Sequence, residues 1–199
     1  MKSIFDLETA NADFVTDYLA IGGDLSEGLE TAAAEAVELA EVALITHILD
    51  VRMEAKETLW EHFPGVQYRW DGIDDAGQKV PAEWFERITD WADAAINAGG
   101  TVLTHCHMGI NRGPSAGYAV LLRRGWDPVQ AIDAIRTARP QAFVAYAENA
   151  LDWHFTRTGA TPIEKRSCRT RLAEWRLTHP MDLHRAIRNG GRRSTGLVA

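Results

Sequence analysis

Apolar positions along the chain fall into two kinds of run. Short continuous stretches bounded by glycine, proline or acidic residues predict buried strands over 14–21, 44–51, 66–70 and 101–104, three of them closed by Gly22-Gly23, Pro64-Gly65 and Gly99-Gly100 at one end or the other. Longer stretches show helical spacing. Trp84, Phe85, Ile88, Trp91, Ala92, Ala95 and Ile96 form one face of a helix over 81–97, and their spacing makes these aromatics core filling first. The Ala/Glu-rich run over 29–42 is a strong helix former, with Asp24 and Glu27 as a capping pair ahead of it. A short helix over 56–63 stops at Pro64, and a helix over 116–122 starts near Pro114 and ends at Arg123, Arg124 and Gly125. Asp127-Pro128 opens another that Pro140 ends, and 143–155 form the last of the main body. Residues 1–12 read as a loosely held lead-in. Strands alternating with helices, followed by helices alone, predict an α/β fold with a mixed, largely parallel sheet flanked by helices.

Beyond Thr158-Gly159 the pattern changes. Residues 163–177 predict a helix carrying Lys165, Arg166, Arg169, Arg171 and Arg176, with Leu172, Trp175 and Leu177 as its apolar positions. Pro180 breaks it, 181–187 add a turn or two, and 189–199 read as disordered. The expected organisation is a body over 1–157 and a basic, partly helical C-terminal extension over 158–199, its helix packing the Trp175 side on the body with cations facing acids.

Net charge sharpens that division. The 199 residues sum to −7, but residues 1–156 carry −14 and residues 157–199 carry +7. An acidic body does not suit extended nucleic-acid binding, which requires neutralising many phosphates, yet it permits local binding of one. No stretch approaches the length of a membrane span, so no membrane insertion is expected. Cys106 and Cys168 provide no disulfide framework, and a reactive thiol needs a reducing compartment, for which the cytoplasm fits.

The candidate chemistry lies between the strand at 101–104 and the helix at 116–122. His105, Cys106, His107, Met108, Gly109, Ile110, Asn111 and Arg112 form a strand-to-helix loop, in which successive backbone N–H groups turn inward as an anion nest. The helix N-terminus favours a thiolate at Cys106, and Arg112 brings a planar fork of donors to the same anion. The loop suits a phosphate held against a sulfur. A metal reading of His105-Cys106-His107 fails because alternate residues of one short loop cannot close a tetrahedral site, and no cofactor is implied. His47, inside a strand, reads as a structural histidine.

The pattern H-C-x-x-G-x-x-R in His105, Cys106, Gly109 and Arg112 resembles the signature loop of the cysteine-dependent protein tyrosine phosphatase superfamily, closest to the dual-specificity phosphatases. Residues 17–23, 45–51 and 68–75 resemble that family's opening strand, next core strand and acid loop, so the resemblance covers about three-quarters of the chain, from 12 to 157. It implies hydrolysis of a phosphate monoester through a phosphocysteine on Cys106. Arg112 and the loop N–H groups of His107, Met108, Gly109, Ile110 and Asn111 would bind the phosphate, and His105 would fix the loop and the sulfur by hydrogen bonds. Ile73-Asp74-Asp75 matches the family's acid pattern, with Asp75 as the acid and Asp74 as its neighbour.

Phosphorylated protein is the leading substrate, or a small phosphate ester. No lysine stands in the loop, which disfavours inositol lipids, whereas Asn111-Arg112 resembles the loop of RNA 5′-triphosphatases. A non-catalytic phosphate-binding module and a thiol arsenate reductase are the alternatives of other classes; the first would lack Cys106 or Asp75, and the second needs more cysteines. One departure stands out. The residue after the loop arginine is usually serine or threonine, whose hydroxyl supports the sulfur, and here it is Gly113; Ser115 lies on another side of the turn.

Overall fold

The computed structural model describes residues 7–193 of the chain. Strands β1 (Ala12–Phe14), β2 (Leu19–Gly22), β3 (His47–Arg52), β4 (Gln67–Ile73) and β5 (Val102–His105) form one sheet in the order β1-β2-β5-β3-β4. Only the β1–β2 pair is antiparallel; the other pairings are parallel, because the chain crosses over between them. Helices α1 (Leu29–Val37), α2 (Ala82–Asn97), α3 (Arg112–Arg123), α4 (Pro128–Ala138), α5 (Ala147–Thr158), α6 (Pro162–Thr178) and α7 (Leu183–Arg193) cover it. The pleat sorts the sheet residues between two cores. Leu19, Ile21 and Val102 face α2, α3 and α5, whereas Ala20, Ile48 and Leu103 face Leu39, Ile45 and Trp60 on the other side.

Several expected elements differ, most of them for a reason found in long-range contacts. The single strand over 14–21 is a hairpin: Val15 and Thr16 both donate to Leu19 O, and β1 folds back to pair Ala12 with Gly22. The lead-in is pinned over 9–12, since the Glu38 carboxylate accepts from Thr9 N and Ala10 N at 3.0 and 2.7 Å, and Asn11 and Ala12 are buried. Asp24 and Glu27 do not cap α1, whose N-cap is Gly28 without a side-chain bond; Asp24 is engaged at the candidate site instead. The helix over 29–42 ends in one widened turn, with Ala43 N reaching back to Glu38 O. Strand β4 continues to Ile73, pairing it with Arg52 past a bulge, where a loop was expected from Asp71.

Helix α5 starts at Ala147 because the preceding residues brace the loop: Phe143 N donates to Ile110 O and Ala145 N to Asn111 Oδ1. In α6, Cys168, Leu172 and Trp175 recur at i, i+4 and i+7 and join the core against α3 and α4. Its cations meet body carboxylates, Arg171 with Asp127 at 2.7 Å and Arg169 with Asp152, while Trp175 Nε1 donates to Asp133. Helix α7 runs on to Arg193 where disorder was expected from 189; residues 194–199 lie outside the described residues. Among the described residues no helix is long and apolar enough to cross a membrane.

Candidate active site

Strand β5 delivers His105 and Cys106 to the C-terminal edge of the sheet, and α3 starts at Arg112, so the intervening loop sits where open α/β sheets bind ligands. Every carbonyl from 107 to 111 is held by the scaffold. His107 O accepts from Asp24 N (2.9 Å), Met108 O and Gly109 O from Arg139 (3.2 and 2.6 Å), Ile110 O from Phe143 N (2.6 Å) and Asn111 O from Ser115 N (2.8 Å). The N–H groups of the same five residues have no acceptor among the described residues. With the carbonyls tied outward, the amides are free to converge beside Cys106, which is only 2% exposed. Gly109 makes the turn possible: its φ is +63°, and a Cβ there would lie 2.3 Å from Arg139 Nη2 and 2.6 Å from the Gly22 carbonyl carbon.

Arg139 is fully buried, and besides the two carbonyls its guanidinium binds Asp13 Oδ2 (2.6 Å) and Asn11 Oδ1 (2.8 Å). It ties β1 and its lead-in to the underside of the loop. Gly113 has a different reason to be glycine. Its backbone lies outside the left-handed region, but a Cβ would stand 3.1 Å from Cys106 N, His105 C and His105 Cα, so α3 packs directly on the end of β5. Ser115 Oγ accepts from Tyr146 N at 3.3 Å and is engaged away from the sulfur.

Arg112 is buried and held end-on. Its Nη1 and Nη2 donate to Glu54 Oε2 and Oε1, both at 2.6 Å, and Nη1 also donates to Ile73 O at 3.1 Å. That uses both Nη1 protons and one of Nη2. The Nε–H and the second Nη2–H remain, and they lie on one edge of the plane as a side-on fork. Burial opposes the charge on Arg112, yet the Glu54 bond and the nearby Cys106 and Asp75 raise its pKa above the usual range. The Arg112 bond in turn draws Glu54 down to about 2.

Of the two acid candidates, Asp75 stands on the wall of the cavity above Cys106, and Asp74 does not. Asp75 Oδ2 is 3.5 Å from Arg112 Nε, and Oδ1 accepts from Asn111 Nδ2 at 2.5 Å. The Tyr146 hydroxyl, which accepts from Gly77 N, lies 3.1–3.3 Å from Asp74 O, Asp75 Oδ1 and Gln78 Oε1 and ties the acid loop to α5. Burial raises the pKa of that hydroxyl, so it is a donor across the neutral range. The Asn111 side chain therefore bridges the acid loop and Ala145.

His105 departs from expectation. Its ring is buried with neither nitrogen hydrogen-bonded, Nδ1 3.9 Å from Asp24 Oδ1 and Nε2 3.7 Å from Asp50 Oδ2. Burial lowers its pKa despite Asp50 and Asp24, which favours a neutral ring within a charged frame. That frame runs from His107 Nδ1 to Asp24 (2.6 Å), from Asp24 to Arg52 (2.8 Å), and from Arg52 to the buried Asp50 (2.7 Å), which also accepts from Tyr68. His47 is structural, bonded to Thr46 Oγ1 and edge-on to Trp91.

A cavity of about 330 Å³ gathers Cys106, His107, Met108, Ile110, Asn111, Arg112 and Asp75; of the expected site residues, His105 and Gly109 lie off its wall. A larger space of about 850 Å³ between the end of α4 and α7 holds none of these groups. Glu54, Tyr146 and Arg139 are the residues that the sequence reading missed. Glu54 leaves the end of a central strand, as the loop does, and that position was its one signal. Nothing local marked the other two.

Comparison with known proteins agrees with this arrangement. The catalytic domain of the dual specificity phosphatases matches residues 29–148. Dual specificity protein phosphatase 1B of Arabidopsis thaliana is 28% identical over 150 residues, 72% of this chain and 88% of that protein. Human dual specificity protein phosphatase 5 is 30% identical over 79 residues, 40% of this chain but only 20% of that protein's length. The crystal structure of PTPMT1 in complex with PI(5)P superposes with a TM-score of 0.64 over 75% of this chain and 97% of the other; at 15% identity the likeness is one of fold. With its catalytic-domain match extending over more than half of the sequence, the chain belongs to the dual specificity phosphatases and is a cysteine-dependent phosphatase.

Proposed function

We propose that the protein removes phosphate from phosphorylated protein side chains in two steps on Cys106. The thiolate attacks phosphorus in line, forming the S–P bond as the ester P–O bond breaks, and Asp75 passes its proton to the leaving oxygen. The side-on fork of Arg112 and the loop amides hold the equatorial oxygens, where charge is carried through the transition state. Asp75, now a carboxylate, takes a proton from the water that attacks phosphorus; the S–P bond breaks and the thiolate returns. The observation that carries this reading is the division of labour on Arg112, whose far end is clamped by Glu54 and Ile73 while its free edge stands beside Cys106 and Asp75.

The acid assignment rests on Asp75 being on the cavity wall and tied to Asn111, while Asp74 offers only its carbonyl. The residues that carry the chemistry lie within 1–157, with 158–199 an extension whose α6 docks on that body and whose α7 borders the cavity, and a reducing compartment such as the cytoplasm suits a free thiolate. The PTPMT1 structure holds a phosphoinositide, but here Arg112 on the cavity wall is already paired with Glu54, which leaves little charge for a head group with several phosphates.

The test is Cys106→Ser, which should abolish turnover of a phosphopeptide while retaining its binding, together with acid quench of the parent during turnover to trap the phosphoenzyme. Undiminished hydrolysis by the serine variant, or no trapped phosphate, would overturn the reading.

A further inference from the structure

Helix α7 is the part of the basic extension that reaches the catalytic cavity. Leu183 and Ile187, one turn apart on the same face, line that cavity with Cys106, Arg112 and Asp75. The next face carries Ala186, buried beside the space bordered by Arg136, Pro140 and Gln141, and Asp182 closes the first turn by accepting from Arg185 N at 2.9 Å. Ile187 is left 45% exposed. An isoleucine half in water, on a helix whose other exposed positions include His184, Arg185 and Arg188, adds little to any core, but it completes a rim. Met108, Ile110 and Phe143 supply the rest of it. The cavity thus has a charged floor with the sulfur sunk in it and an apolar collar above.

Resting on the proposed phosphoprotein reading, we propose that Leu183 and Ile187 are specificity-determining residues that select esters carrying their phosphate on a flat apolar stem, an aryl phosphate such as a phosphotyrosyl side chain in a peptide. A phenyl ring fills the collar and buries its faces against these side chains as the phosphate reaches the floor. The one- or two-carbon stem of a seryl or threonyl phosphate leaves the collar wet and must draw the peptide backbone down into it. The selection is a difference in binding made above the reacting atoms, so it acts mainly on KM.

The experiment uses the full chain and two peptides of the same sequence, one phosphotyrosyl and one phosphothreonyl. The variant Leu183→Ala/Ile187→Ala should lower the ratio of kcat/KM for the tyrosyl over the threonyl peptide about tenfold, chiefly through KM of the tyrosyl peptide. Ile187→Trp should raise the same ratio. If the double variant is poorly folded by circular dichroism, Ile187→Ser at the half-exposed position decides the matter with a smaller fall in the ratio. Parallel changes on both peptides, or an unchanged ratio in a folded variant, overturn the proposal while the phosphatase reading stands. Failure of the parent to hydrolyse either peptide removes that reading, and this inference with it.

Discussion

Replacing Arg139 tests whether the loop is held from beneath. Arg139→Met removes a fully buried guanidinium and leaves Gly109 O, Met108 O, Asn11 Oδ1 and the Asp13 carboxylate without the donors that now reach them. Breaking a buried pair from one side costs about 3–5 kcal/mol, and Asp13, 21% exposed, can recover part of its loss from water. In a domain of this size such a loss lowers Tm by roughly 6–20 °C. The functional effect has a separate cause. Freed carbonyls at 108 and 109 let the peptide planes rotate, and an amide lost from the phosphate nest reduces kcat by about 100-fold. Arg139→Lys keeps the charge but cannot span four acceptors with one ammonium, so it should fall between parent and Met. Urea titration and steady-state hydrolysis of 4-nitrophenyl phosphate, corrected for the folded fraction, measure the two effects. A Met variant that loses stability yet keeps kcat/KM within about threefold would show that the loop holds its shape without Arg139.

Asp75→Asn should impair turnover of a phosphopeptide more than that of an activated aryl phosphate, whose leaving group needs no proton, whereas Asp74→Asn should change neither by more than about threefold; the reverse order would move the acid to Asp74. Glu54→Gln weakens the clamp on Arg112. Because the folded pKa of Glu54 is depressed to about 2 from 4.5, its stabilisation is present above pH 4.5 and is lost as pH falls through about 2. The carboxylate is half-exposed, so the difference in urea midpoint at pH 7 should correspond to no more than about 1 kcal/mol and should shrink towards pH 2; a constant difference would refute the linkage. With no hydroxyl at Gly113, release of phosphate from Cys106 should limit turnover and give a burst in rapid-quench traces. Gly113→Ser would supply the missing hydroxyl, but its Cβ would stand 3.1 Å from the β5 backbone, so that variant should be destabilised by about 1–3 kcal/mol, read from its urea midpoint.

Local rules carried the sequence reading a long way. Asp127 caps α4 through Val129 N and Gln130 N, and Gly125 takes its positive φ after α3, both from contacts within a few residues. The strand-loop-helix around Cys106 was legible for the same reason: its chemistry and its turn are written in consecutive residues. Only the tertiary structure decided what holds that loop. Arg139 meets Asn11 across 128 positions, Arg112 meets Glu54 across 58, and Tyr146 meets Asp75 across 71. A buried cation takes whichever acceptors the packed sheet and helices bring to it, and a sequence read through local periodicity contains no distance between such partners. The division of residues 14–21 into a hairpin and the arrival of Leu183 and Ile187 at the cavity have the same origin. Each is set by which surfaces meet when the sheet and its helices close, an outcome of long-range packing that the spacing of apolar residues along one segment does not encode.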